Sequence, residues 1–134
     1  MSTRTVLEDG DLVRRKVLGA DHVDRSTTKA TEFARPIQEL VTEYCWGAVW
    51  SRPGLDLRVR SLLNVAMLTA LNRPHELELH VRGALNNGAA PAEIQEVLLQ
   101  AAIYCGVPAA LDAFRTAEAV LQQAGYDLND GLGR

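Results

Sequence analysis

Residues 91–106 read P-A-E-I-Q-E-V-L-L-Q-A-A-I-Y-C-G. Proline suits the first turn of a helix, where its missing N–H has no intrahelical partner to lose, and glycine suits the position just past the end. Between them Ile94, Val97, Leu98 and Ala101 fall at i, i+3, i+4 and i+7. That spacing places all four on one face of a helix. The segment predicts a helix from Pro91 to about Cys105, ended by Gly106.

The same punctuation extends in both directions. Pro108 opens a helix that ends at Gly125, and Pro74 opens one that runs to Asn87 and Gly88. Pro36 opens another, which Gly47 is expected to close. Asp56 is a plausible N-cap for a helix running to Leu71, with Leu62, Ala66, Met67 and Ala70 at helical spacing. An earlier helix covers Glu8 to Leu18 and is followed by Gly19. A short one starts at a Ser26–Thr27 cap and stops before Pro36. No stretch alternates at period two between hairpin turns. The expectation is an all-α, single-domain helical bundle over residues 1–134, with six or seven helices and an irregular arm at about 126–134.

Bulk properties narrow the function classes. A chain of 134 residues suits one domain, and 47% hydrophobic residues is ordinary for a globular protein. No apolar run reaches the roughly 18 residues that span a bilayer. The longest, around residues 62–71, is broken by Asn64 and Thr69. The opening M-S-T-R-T-V-L-E-D-G-D has no secretory apolar core, so a cytoplasmic location is expected. A net charge of -3 gives no global attraction to nucleic acid. Neither G-x-G-x-x-G nor G-x-x-x-x-G-K-[ST] occurs, which argues against nucleotide chemistry. Cys45 and Cys105 form no C-x-x-C pair, and His22, His75 and His80 show no metal-ligand spacing with them, so neither a disulfide framework nor a metal site is expected. Twelve arginines stand against two lysines. That skew reflects either coding-sequence composition or a use for the bidentate guanidinium fork.

Three clusters could carry chemistry. Glu76 and His80 lie at i and i+4 on one predicted helix, with Gly83 and Ala84 leaving room beside the imidazole. A carboxylate beside an imidazole is a reasonable acid–base pair near neutral pH, and equally a structural histidine that caps a partner helix. Trp46 and Trp50 flank a glycine and precede Arg52. They either wall a pocket for a planar anion or plug the core. Arg60, with Asn64 one turn later, sits on an otherwise apolar helix. A buried arginine needs a partner, either a substrate carboxylate or an acidic side chain such as Glu43. Arg58 and Arg82 read as solvated.

Four runs taken together carry a resemblance. They are W-G-A-V-W-S-R-P-G-L from Trp46, R-S-L-L-N-V-A-M-L-T-A-L-N-R from Arg60, E-L-E-L-H-V-R-G-A-L-N-N-G from Glu76, and E-V-L-L-Q-A-A-I-Y-C-G-V-P-A-A from Glu96. Over roughly Val13 to Leu121 the chain resembles the carboxymuconolactone decarboxylase family. The resemblance implies an alkylhydroperoxidase-like helical fold that assembles into trimers or hexamers. It implies conversion of 4-carboxymuconolactone to 3-oxoadipate enol-lactone and carbon dioxide, in the protocatechuate branch of the β-ketoadipate pathway, without a cofactor. His80 is then the proton donor or the group that stabilises the electron sink. Arg52 and Arg60 hold substrate carboxylates, Trp46 and Trp50 wall the site, and Glu76 or Glu43 orients a catalytic group.

The wider family includes alkylhydroperoxidase-like disulfide reductants that carry a glutamate and then C-x-x-C-x-x-x-H. Aligning their histidine with His80 puts Arg73 and Glu76 at the cysteine positions and Ser61 at the glutamate. Thiol–disulfide chemistry needs thiolates, so the redox branch is disfavoured. The same fold also suits a non-catalytic oligomeric binding protein, or an enzyme for a related lactone. After P-A-A, similar proteins often carry Asn and then A-F-H. Here Leu111 and Arg115 stand in those places, and substrate detail changes only if that helix lines the pocket.

Overall fold

The computed structural model describes residues 4–132. The chain divides into two compact units, Met1–Leu57 and Arg58–Arg134. Among the described residues there are seven α-helices, one π-helix and no strand.

In the first unit, α1 spans Val6–Leu18, α2 Ala20–Ser26 and α3 Arg35–Leu40, and α3 continues into a π-helix over Val41–Trp50. Helix α1 starts two residues earlier than its periodicity predicts because Thr5 caps it. The Thr5 hydroxyl accepts from the Glu8 N–H at 3.1 Å. Gly19, at φ 90°, turns the chain directly into α2. Arg15 then holds the two helices together, with ion pairs to Asp11 at 2.9 Å and Asp24 at 2.8 Å.

Two expectations fail in this unit. No helix starts at Ser26–Thr27. Ser26 instead ends α2, and the Thr27 hydroxyl donates back to the Val23 carbonyl at 2.7 Å, so its capping capacity is used at a C-terminus. Gly47 does not close a helix either. A Cβ at Gly47 would lie 2.3 Å from the Val6 carbonyl oxygen, and one at Gly10 would lie 2.0 Å from the Thr42 oxygen. Both glycines serve a close crossing of α1 over the π-helix, where a methyl group would force the backbones apart. The apolar cluster beside the crossing holds Val17, Trp46 and Trp50, with Val13, Val41 and Leu57 against it. Arg14 is buried there and donates to the Thr42 hydroxyl at 3.2 Å.

In the second unit, α4 spans Leu57–Ala70, α5 Pro74–Asn86, α6 Pro91–Cys105 and α7 Val107–Gln123. Helices α5, α6 and α7 agree with the Pro–Gly punctuation, and α4 with the span expected from Asp56 to Leu71, to within a residue or two. Gly106, at φ 108°, breaks α6 from α7. The core is built from Val65, Leu77, Val81, Ile94, Leu98 and Val120, among others. Residues 126–132 are irregular as expected, yet they are packed: Leu128 lies against the core, and the Leu132 carbonyl accepts from the Ala92 N–H at 3.1 Å. The rest of the predicted arm, residues 133 and 134, lies outside the described residues. No helix among the described residues is long and apolar enough to cross a membrane.

Gly10→Ala should destabilise by about 1–3 kcal/mol through overpacking at the crossing. Gly54→Ala, where a Cβ meets nothing within 4 Å, should stay within about 0.5 kcal/mol of the wild type. Urea unfolding of both variants checks this. Equal stabilities would mean that the crossing does not set the packing.

Candidate active site

Helix α4 is apolar on the face that it buries, except for Ser61 and Thr69. Thr69 is satisfied within its own helix, donating to the Val65 carbonyl at 2.7 Å. Ser61 is wholly buried and cannot turn to water, so it takes a partner from the end of α5: the Asn87 amide donates to its hydroxyl at 2.9 Å. One turn further along α4 is the half-buried Asn64. Its side-chain nitrogen lies 3.3 Å from Nδ1 of His80. His80 is 7% exposed on the buried face of α5, with Gly83 and Ala84 buried on the following turn. Two polar links thus join α4 to α5 in an apolar surround, and one of them ends on the imidazole.

The other predicted residues of this unit are placed as follows. Arg60 is half-buried on α4, one turn before Asn64. Glu76 lies in the first turn of α5 and is exposed. Arg58 forms an ion pair with Glu93, its Nε 3.2 Å from the carboxylate, and Glu93 also accepts from the Ala90 N–H at 3.0 Å at the start of α6. Arg82 pairs with Glu78 at 3.4 Å and donates to Gln123. Arg58 and Arg82 are therefore half-buried and held in side-chain pairs, where the sequence reads them as solvated.

In the first unit Trp46 and Trp50 are both buried, with ring centroids 4.5 Å apart and planes tilted by 35°. Glu43 is exposed in the first turn of the π-helix, and Arg52 is exposed in the turn that follows it. The structure thus brings together the two tryptophans, and it gives His80 a neighbour, Asn64, that spacing had set beside Arg60. The Ser61–Asn87 link was missed by sequence reasoning. Its signal was present as lone polar residues on apolar helical faces.

The cysteines lie apart. Cys45 is half-buried beside the tryptophans, and burial pushes its thiol up, against the opposing pull of the Arg14 guanidinium. Cys105 is exposed at the end of α6, and both thiols are free. Among the described residues no three His, Cys, Asp or Glu side chains are grouped closely enough to hold a metal ion. Leu111 and Arg115, the two departures from the expected pattern, are exposed on α7, and Arg115 pairs with Asp112 at 2.8 Å.

The profile of the carboxymuconolactone decarboxylase family matches residues 35–119. A nitrosuccinic acid decarboxylase of Metarhizium robertsii is 47% identical over 110 residues, covering 82% of this chain and 77% of that protein. A 4-carboxymuconolactone decarboxylase of Acinetobacter baylyi is 42% identical over 113 residues, 84% of each chain. An uncharacterised 15.0 kDa protein of Paracoccus denitrificans is 37% identical over 81 residues, 58% of this chain and 60% of its own. The family match takes in the π-helix, α4, α5 and α6 together, His80 and Asn64 included, and both of the named relatives are decarboxylases. The chain accordingly belongs to the carboxymuconolactone decarboxylase family and is a decarboxylase.

Proposed function

We propose that this decarboxylase acts on 4-carboxymuconolactone, giving 3-oxoadipate enol-lactone and carbon dioxide. The observation that carries the reading is the 42% identity to the Acinetobacter baylyi enzyme over 84% of both chains. In this substrate the carbon that loses its carboxylate belongs to an unsaturated lactone ring. The electron pair left behind runs through the ring double bond to the lactone carbonyl, which acts as the sink. The protein has to bind a dianion, stabilise the charge that develops on the sink, and shield the reacting carbon.

His80 is the group proposed for the sink or the proton, and Arg60 the group for a carboxylate, by bidentate pairing. Arg52 is proposed for the second carboxylate, Trp46 and Trp50 for excluding water, and Glu43 and Glu76 for orienting charged partners. Self-association into a trimer or hexamer in the cytoplasm is part of the same proposal. The large exposed side chains Phe33, Tyr44, Ile103 and Tyr104 support it.

A second reading has its own support in the 47% identity to the nitrosuccinic acid decarboxylase. Nitrosuccinic acid carries its nitro group on the carbon next to one carboxylate, and loss of that carboxylate sends the electron pair onto the nitro oxygens. Both substrates share a leaving carboxylate, a carboxymethyl arm on the same carbon and an oxygen-centred sink. One arrangement of a hydrogen-bond donor and cations suits either.

The deciding experiment is a coupled ultraviolet assay in which 3-carboxy-cis,cis-muconate and its cycloisomerase generate the lactone in place, with nitrosuccinate run in parallel. Wild type should accelerate lactone decarboxylation, and His80→Ala should lose about 10²–10⁴ of that rate. Acceleration with nitrosuccinate alone would establish the second reading. A further expectation concerns the thiols. Because burial raises the Cys45 thiol, less of it is thiolate at any pH below that value, and it should react with a disulfide reagent more slowly than the exposed Cys105. A double Cys→Ser variant should keep full decarboxylase turnover, and its loss would return the redox reading to consideration.

A further inference from the structure

The link between Asn64 and His80 contains more than a contact. An amide nitrogen can donate hydrogen bonds but cannot accept them. The Asn64 amide nitrogen lies 3.3 Å from Nδ1 of His80, a contact that makes a hydrogen bond in the tautomer whose Nδ1 is the acceptor. In that tautomer the neutral ring carries its single proton on Nε2. Asn64 is itself well placed to impose this. It projects from α4 three residues after Ser61, whose hydroxyl is tied to Asn87 at the C-terminus of α5 at 2.9 Å. Ser61 thus meets Asn87 just past the end of α5, and Asn64 meets His80 within it.

We propose that Asn64 is a positioning residue that holds His80 as a neutral imidazole with its proton on Nε2, so that His80 acts as a hydrogen-bond donor to the electron sink and not as an acid. The inference rests on the reading of His80 as the group that meets the substrate, and it chooses between the two roles which that reading left open. A neutral imidazole that gave up its Nε2 proton would be left as an imidazolate, a very poor product at neutral pH. As a donor it gives up nothing. The carbon–carbon bond to the leaving carboxylate breaks, the electron pair enters the sink, and carbon dioxide departs. The Nε2–H group stabilises the oxygen that gains charge. A proton from water later forms the new carbon–hydrogen bond as the pair returns to carbon. Neutral imidazole serves as such an electrophile in enzymes that polarise a carbonyl.

The test reads the ring directly. Long-range proton–nitrogen correlation spectra of the nitrogen-15-labelled full chain report which ring nitrogen carries the proton, and the His80 signals are those lost in His80→Ala. In the wild type at neutral pH, Nδ1 should give an unprotonated shift and Nε2 a protonated one. Asn64→Asp, which is nearly isosteric but only accepts, should move the proton to Nδ1 and lower kcat about 10²-fold with little change in KM. Asn64→Leu, which offers no hydrogen bond, should lose the tautomer preference and lower kcat as well, and thermal melts show that the variants fold. A wild-type ring protonated on Nδ1 would overturn the proposal, even if Asn64→Asp failed to fold. So would an inverted tautomer in Asn64→Asp with undiminished kcat. Unchanged turnover in His80→Ala would be a separate result. It would remove the role of His80 itself, whatever the spectra showed.

Discussion

Ser61 is wholly buried and His80 is 7% exposed, so each depends on hydrogen-bond partners within the protein. Leaving a buried donor or acceptor unmade costs on the order of 1–3 kcal/mol, more than a typical made bond contributes. That asymmetry favours the arrangement of α4 and α5 in which Asn87 reaches Ser61 and Asn64 reaches His80. Apolar packing around Val65, Leu77 and Val81 supplies most of the stabilisation but tolerates sliding and rotation. The polar links do not. His80, a candidate chemical group, is thus also one end of a polar link between α4 and α5.

The first unit solves a different problem. Helix α1 crosses the π-helix so closely that Gly10 and Gly47 meet neighbouring backbone within reach of a missing methyl group. A π-helix closes i→i+5 hydrogen bonds, so each turn is wider than in an α-helix, and it is rarely sustained. Over Val41–Trp50 its wider turn brings Thr42, Trp46 and Trp50 to the buried side, and the two indole rings lie against each other. The weaker hydrogen-bond geometry is offset by burying two large aromatic surfaces and by the contact between backbones.

Much of this was readable in the sequence, and the failures have physical causes. Proline at the first turn and glycine past the last gave α5, α6 and α7 almost residue by residue, because these signals act within one turn of the chain. Gly47 carried the same local signal for a different reason: its neighbour is Val6, far back at the start of α1, and no local rule contains that distance. The π-helix was invisible to a search at period 3.6, which sees Thr42, Trp46 and Trp50 as an imperfect stripe. Among the candidate residues, His80 and the tryptophans stood out by residue type. Asn64 stood out as a polar residue on an apolar face, but its pairing with His80 depends on how two helices meet, and spacing along one helix cannot specify that. The family resemblance supplied the reaction class, which residue chemistry alone did not.

The end of α7 leads into a segment that returns to α6, where the Leu132 carbonyl takes up the Ala92 N–H. The first N–H groups of any helix lack partners within it. Here one of them waits for a carbonyl that lies beyond the whole of α7. On the ribosome α6 is therefore complete in sequence well before the group that closes its first turn exists. Until residue 132 is present, that amide has water as its partner. The first turn of α6 is therefore tied to a group forty residues later in the chain, and truncation before residue 132 would leave it open.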